Sequence, residues 1–163
     1  MDEPRHSTVT QTVIKWIFIC GMLMVIGGAI FYAFRTVSPK TEMIYLNKTM
    51  LQAEIANNEE SQQKGLSGRL GIDENYAMLF VFDHNDRHKM WMKDMKFSVD
   101  MIWINDKKRV VYIKHNVKPD AEPHEKYAPP VPVKYVLEVK AGVAKQASAT
   151  VGSQVKFDLE EDK

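Results

Sequence analysis

The stretch "HKMWMKDMKFSVDMIWI", residues 88–104, decides how the chain is read. Four methionines and two tryptophans share these seventeen positions with three lysines and two aspartates. Such a mix suits either a ligand or metal surface or two strands of a core. Alternation along an extended chain sorts the residues. His88, Met90, Met92 and Asp94 fall on one face, and Lys89, Trp91, Lys93 and Met95 on the other. After the break, Phe97, Val99, Met101 and Trp103 share a face, while Asp100 precedes Ile102 and Ile104 on its opposite. The expectation is two strands, His88–Lys93 and Val99–Ile104, with Met90 and Met92 turned into the core and Trp91 turned out between lysines.

The flanking sequence continues in short strands. "MLQAEIA", 50–56, alternates Leu51, Ala53 and Ile55 with Gln52 and Glu54, which predicts a half-buried strand. Asn57 followed by Glu60 is a capping-box spacing, so a short helix is expected to run to about Lys64 and stop at Gly65. "YAMLFVF", 76–82, is apolar on both faces and reads as a buried strand, with "DHNDRH" as the turn after it. "RVVYIK", 109–114, is expected to pair back as a hairpin. Residues 118–132 hold five of the seven prolines and form a long loop. "VKYVLEV" and "SQVKFDL" give two more strands, separated by a helical turn at "AGVAKQA". About seven short strands with little helix predict a mainly β fold, a compact antiparallel sandwich or barrel.

Ahead of this domain stands "VIKWIFICGMLMVIGGAIFYAF", 13–34. No residue from Trp16 to Phe34 is charged, and nineteen residues at 1.5 Å each span about 28 Å, close to a hydrocarbon core. Trp16, Phe31 and Tyr32 sit near its ends, where aromatic belts form. The run is longer than a signal-peptide core and no small-residue cleavage site follows, so an uncleaved single-pass anchor over 13–35 is expected. Cys20 follows Ile19 rather than a small residue, which does not suit a lipoprotein signal; it reads as a small apolar helix residue. Basic residues flank the run evenly. The short tail 1–12 is expected inside, the linker 36–48 and the β domain 49–160 outside the cytoplasm. Net charge is +1, and 19 basic residues meet 19 acidic ones after Arg35, which argues against nucleic acid as a partner.

The motifs "KGLSGRLGIDENYAMLFVF", "KMWMKDMKFSVDMIWI", "VVYI" and "YVLEVKAG" resemble, in order and spacing, the domain-of-unknown-function 192 family, over about Met50 to Leu159. The resemblance implies a small, mostly β domain of jelly-roll-like sandwich form, often secreted or membrane-anchored, and it implies no activity. The family's central block often reads F-W-M-K-N-T with a later proline. Here Met90, Asp94, Met95 and Val99 depart from that pattern while keeping its apolar spacing.

Several residues carry the chemistry to be tested. An outward Trp91 is either covered by lysine stems and the proline loop or is an aromatic platform for a sugar or peptide, with Lys89 or Lys93 reading an oxygen. Asp100 at the edge of an apolar surface needs a partner, for which Arg69 and Lys93 are the candidates by type; it is either a structural tie that fixes the helix-to-strand corner or a pocket carboxylate. Arg69, Trp91, Lys93, Asp100 and Tyr127 together make the candidate ligand surface. Asp100 and Glu138 could instead pair for acid–base work as a hydrolase. His88, Met90 and Met92 are soft ligands that would suit Cu(I), against which stands methionine's use as adaptable core filler. No phosphate loop, dinucleotide fingerprint or Ser–His–Asp signature occurs, so no cofactor is expected. The sequence thus points to a membrane-anchored, extracytoplasmic binding or accessory module of the cell envelope, with a glycan or peptide as ligand.

Overall fold

A computed structural model of the chain describes residues 6–35 and 40–159. The chain divides into two compact units, Met1–Ser38 and Pro39–Lys163.

The first unit is one helix, α1, His6–Arg35. From residue 13 to 29 its side chains stand exposed, including Trp16, Phe18, Met22, Leu23, Met24 and Val25. Among the described residues no helix is long and apolar enough to cross a membrane. The transmembrane expectation for 13–35 is therefore not supported by the fold itself.

The second unit is built on one seven-stranded sheet. Its elements are β1 Thr41–Leu46, β2 Thr49–Ala56, α2 Glu59–Lys64, β3 Tyr76–Asp86, β4 Val99–Ile104, β5 Val110–Val117, β6 Val133–Lys140, α3 Val143–Gln146 and β7 Val155–Lys156. The strand order is β5-β4-β6-β3-β2-β1-β7. The fold is mainly β, as expected, but it is not a sandwich. The sheet curls into a half-barrel, and its two edges meet at one end. A bridge joins Arg109 to Gln154, the Val110 N–H donates to the Ser153 carbonyl at 3.0 Å, and the Val155 N–H donates to the Lys108 carbonyl at 2.9 Å. Curling removes part of the open edge that would otherwise invite pairing with another chain. One pair, β2 with β3, is parallel, made possible by the crossover through α2.

Both faces of this single sheet are buried, which is why "VDMIWI" of β4 has no exposed residue. The first face packs Ile44, Leu51, Leu79, Ile102, Ile104 and Leu137 against α3 and β7. The second face carries Met78, Phe80, Met101, Trp103 and Val136, covered by Leu66, Met90, Met92 and Met95 from loops. A loop layer therefore stands where the second sheet of a sandwich was expected.

Local differences have local causes. The stretch read as linker contains β1, which pairs with β2 along its whole length. The helix cap is Asn58 with Ser61, one residue later than expected, and Gly65 ends the helix with φ 47. "DHND" extends β3 to Asp86 through a register shift after Val81. Residues 88–93 are not a strand. Among the described residues their one β pairing is the bridge of Met90 with Tyr127, followed by a turn in which Asp94 takes φ 56. That turn resets the alternation, so Met95 is buried along with Met90 and Met92.

Candidate functional site

The loop layer over the second face positions four of the five proposed ligand residues. Trp91 is 41% exposed, the outward orientation expected of it. Lys126, from the proline loop, places its ammonium 5.5 Å from the indole centroid. The Met90 and Tyr127 backbones exchange two hydrogen bonds of 2.8 Å, which fixes the proline loop beside Trp91. The Tyr127 hydroxyl donates to Glu125 at 2.7 Å, Lys114 stands 5.2 Å from its ring, and burial with the Glu125 contact pushes the phenol up to about 12. Lys93 is exposed, and its carbonyl accepts from the Ser67 hydroxyl at 2.8 Å. The adjoining Gly68 N–H donates to the Asp94 carbonyl at 2.9 Å, tying the "GLSGR" turn to the tryptophan segment.

Arg69 has a different partner from the one expected. Its guanidinium donates to Glu54 at 2.8 Å and to the Tyr76 hydroxyl at 2.7 Å, and that hydroxyl donates to Glu54 in turn. Burial alone would raise the Glu54 pKa, but the hydrogen bonds from Tyr76 and Arg69 and the guanidinium charge hold it below the usual carboxylate value. Burial and the bond to Glu54 push Tyr76 up to about 12. Gly71, Ile72 and Asp73 join Arg69 and Tyr76 around a hollow of about 400 Å³.

Asp100 belongs to the other face. It is registered against Val139, whose neighbours are Ile102 and Leu137 of the first-face core. The side chain is fully buried, and neither Arg69 nor Lys93 reaches it. Three backbone N–H groups donate to it: Asn116 at 2.8 Å to Oδ1, and Gly142 at 2.9 Å and Ala144 at 3.0 Å to Oδ2. His115 Nδ1 stands 3.8 Å from Oδ1. Asp100 thus ties the end of β5 to the start of α3, and it is not part of the tryptophan surface.

Glu138 is registered against Met101 on β4 and Met78 on β3, both of the second-face core. Asp100 and Glu138 therefore point to opposite sides of the sheet, and the carboxylate pair required for acid–base chemistry is not formed. Burial is the sole cause acting on Glu138, and it pushes the carboxyl up to about 8.

The soft-ligand residues do not gather either. Met90 and Met92 are packed into the second-face core, while the His88 ring stacks on Phe82 at 3.6 Å with Nε2 3.0 Å from the His84 carbonyl oxygen. Among the described residues no group of three or more His, Cys, Asp or Glu is arranged to hold a metal ion.

Sequence reasoning missed one feature. Asp100, His115, Asn116, Gly142, Lys145, Ser148, Ala149 and Thr150 line a cavity of about 410 Å³ on the first face. These residues come from three separate segments, and no local pattern announces that they meet.

A curled seven-stranded sheet with a loop layer on one face and a short helix on the other defines the class of this domain. The chain belongs to the DUF192 family, described as Uncharacterized ACR, whose model matches residues 42–157. That description assigns no activity. A UPF0127 protein of Thermococcus sibiricus is 29% identical over 91 residues, which are 55% of this chain and 56% of the relative, so the chain spans little more than half of that protein's length. A solved structure from Sinorhizobium meliloti, proposed to be a transcription regulator, aligns with a TM-score of 0.68 at 28% identity over 74% of this chain and 96% of that one. A Novosphingobium aromaticivorans protein of unknown function aligns with a TM-score of 0.63 at 22% identity, over 74% and 94%, and shows the shared fold alone.

Proposed function

We propose that the protein is a binding or accessory module of the cell envelope, that it receives a saccharide on the loop layer around Trp91, and that residues 13–35 attach it to the cytoplasmic membrane with the β domain outside the cytoplasm. The observation that carries the ligand reading is Trp91 itself. Its indole is 41% exposed on a segment whose three methionines are all buried. A large aromatic left in solvent and held on a fixed backbone suits stacking against the apolar face of a sugar ring. Lys126 stands over the indole, 5.5 Å from its centroid, and turns aside to donate to the ligand's oxygens; Lys93 is exposed two residues on, and the Met90–Tyr127 bridge sets the proline loop beside the platform. A peptide is the second ligand class that such a surface could take, and the same titration distinguishes the two.

The membrane reading rests on the chain's chemistry. The sequence is uncharged from Trp16 to Phe34, and the large apolar side chains of α1 between 16 and 26 are exposed. Apolar surface on all sides of a helix needs an apolar environment. Fractionation of cells producing the full chain and a chain lacking residues 1–38 tests this: the full chain should pellet with membranes and resist alkaline extraction, and the shortened chain should not. Release of the full chain by alkali contradicts the anchor.

For the ligand, the full chain is titrated with neutral oligosaccharides and with short peptides. Saccharide binding that falls about tenfold or more in Trp91→Ala supports the proposal. Binding of peptides alone, or saccharide binding indifferent to Trp91→Ala, contradicts it.

A further inference from the structure

The cavity on the first face is remote from the tryptophan surface and has its own polar floor. A carboxylate offers about four lone-pair positions. Three of those on Asp100 are filled by the N–H groups of Asn116, Gly142 and Ala144. The position left lies on Oδ1, the oxygen that stands 3.8 Å from His115 Nδ1. That separation is too long for a direct hydrogen bond, yet a nitrogen set to one side of the line joining the two atoms reaches both at about 2.8 Å. In the tautomer that presents Nδ1 as an acceptor, both atoms accept, and a group that joins them carries at least two hydrogens. A primary ammonium meets this demand and supplies the charge that the buried Asp100 lacks.

Two further observations narrow the ligand. Lys145 lines the same cavity, and among the described residues no ion-pair partner for its ammonium lies within the protein. It is suited to a carboxylate on the far side of the same ligand. The remaining lining, Gly142 and Ala149 among it, leaves about 410 Å³, the lower part of the range of small-molecule sites. The backbone is held in a special form here: Asn116 and Ser148, both lining residues, take φ 50 and φ 52. Non-glycine residues in that region persist only where the surrounding structure enforces them. Asn47 does so for Ser148, donating to its carbonyl at 3.0 Å and to that of Ala147 at 3.0 Å.

We propose that this cavity binds a small zwitterion of the free amino acid class, with its ammonium between Asp100 Oδ1 and His115 Nδ1 and its carboxylate at Lys145. The site is independent of the Trp91 surface, so either proposal can fail alone.

The test is calorimetric titration of the full chain with alanine, methylamine and acetate, each up to about 10 mM. Alanine is expected to bind, methylamine about tenfold more weakly, and acetate not measurably. His115 is half exposed, so His115→Ala should keep the melting temperature while lowering alanine affinity about tenfold or more. Lys145→Ala should reduce alanine to the affinity of methylamine. The proposal is overturned if neither amine binds, if acetate binds as tightly as alanine, or if His115→Ala and Lys145→Ala both bind alanine like the parent chain.

Discussion

Asp100 and Glu138 sit on neighbouring strands, one register step apart, and face opposite sides of the sheet: Asp100 lies opposite Val139 and Glu138 opposite Met101. Two carboxylates close in register are thereby placed in two unconnected environments. Backbone N–H groups solvate one, and apolar side chains surround the other. Their contrasting chemistry leads to opposite predictions.

Replacing Asp100 by Ala removes the acceptor for three backbone N–H groups, of which that of Ala144 is buried. Hydrogen bonds to a charged group contribute about 1.5–3 kcal/mol each, and their losses overlap. Asp100→Ala should destabilise the fold by about 3 kcal/mol or more in a urea titration. A change below about 0.5 kcal/mol contradicts the structural tie.

Glu138 titrates high in the folded chain, at about 8, from an ordinary value of 4.5. Between those values the folded state holds a proton that the unfolded state has released, so stability is greatest below the unfolded value and declines as pH rises towards the folded one. Glu138→Gln should raise the melting temperature by a few degrees at pH 7–8, do little near pH 4, and flatten the decline between. A destabilised Glu138→Gln at pH 8 sinks this account.

The Arg69–Glu54–Tyr76 cluster behaves in the reverse sense. Glu54 is held below its usual value, so its contribution is present at neutral pH and lost as the solution is acidified through the folded value. Both partners of the ion pair are partly exposed, which limits the effect. Arg69→Ala should cost about 1 kcal/mol at pH 7 and less below pH 4, read from paired denaturation curves. An Arg69→Ala effect that is constant across pH contradicts the electrostatic role.

Asp94 occupies the left-handed region at φ 56, in the turn that brings Met95 into the core. Asp94→Gly should be neutral or stabilise by up to about 1 kcal/mol, whereas Asp94→Val should destabilise by more than Asp94→Ala. Equal effects of Gly and Val would mean that the turn is not what sets the methionine positions.

Strands whose neighbours are predictable from alternation alone were legible in the sequence. Leu51, Ala53 and Ile55 announce β2 by their spacing, and the unbroken apolar run 76–82 of β3 announces burial on both faces. What covers those faces was not legible. A second sheet and a layer of loops demand the same apolar residues, so Met90 and Met92 read as a strand although, among the described residues, the β pairing of that segment is the single Met90–Tyr127 bridge. Helix capping was ambiguous because Asn57 and Asn58 both precede suitable third residues, and the backbone at Asn58 decides between them. The fate of Asp100 was least accessible. Its partners Asn116, Gly142 and Ala144 are 16 to 44 residues away, and backbone amides leave no trace in side-chain chemistry.

The central claim is that Trp91 is a saccharide platform. The most direct measurement follows the indole N–H signals of the three tryptophans by NMR while oligosaccharides are added. Trp103 donates its indole N–H to the His88 carbonyl at 3.0 Å inside the core and serves as the internal control. The account predicts that the Trp91 signal shifts with saccharide while that of Trp103 stays in place. A Trp91 signal that ignores every saccharide, or that moves only with peptides, contradicts it.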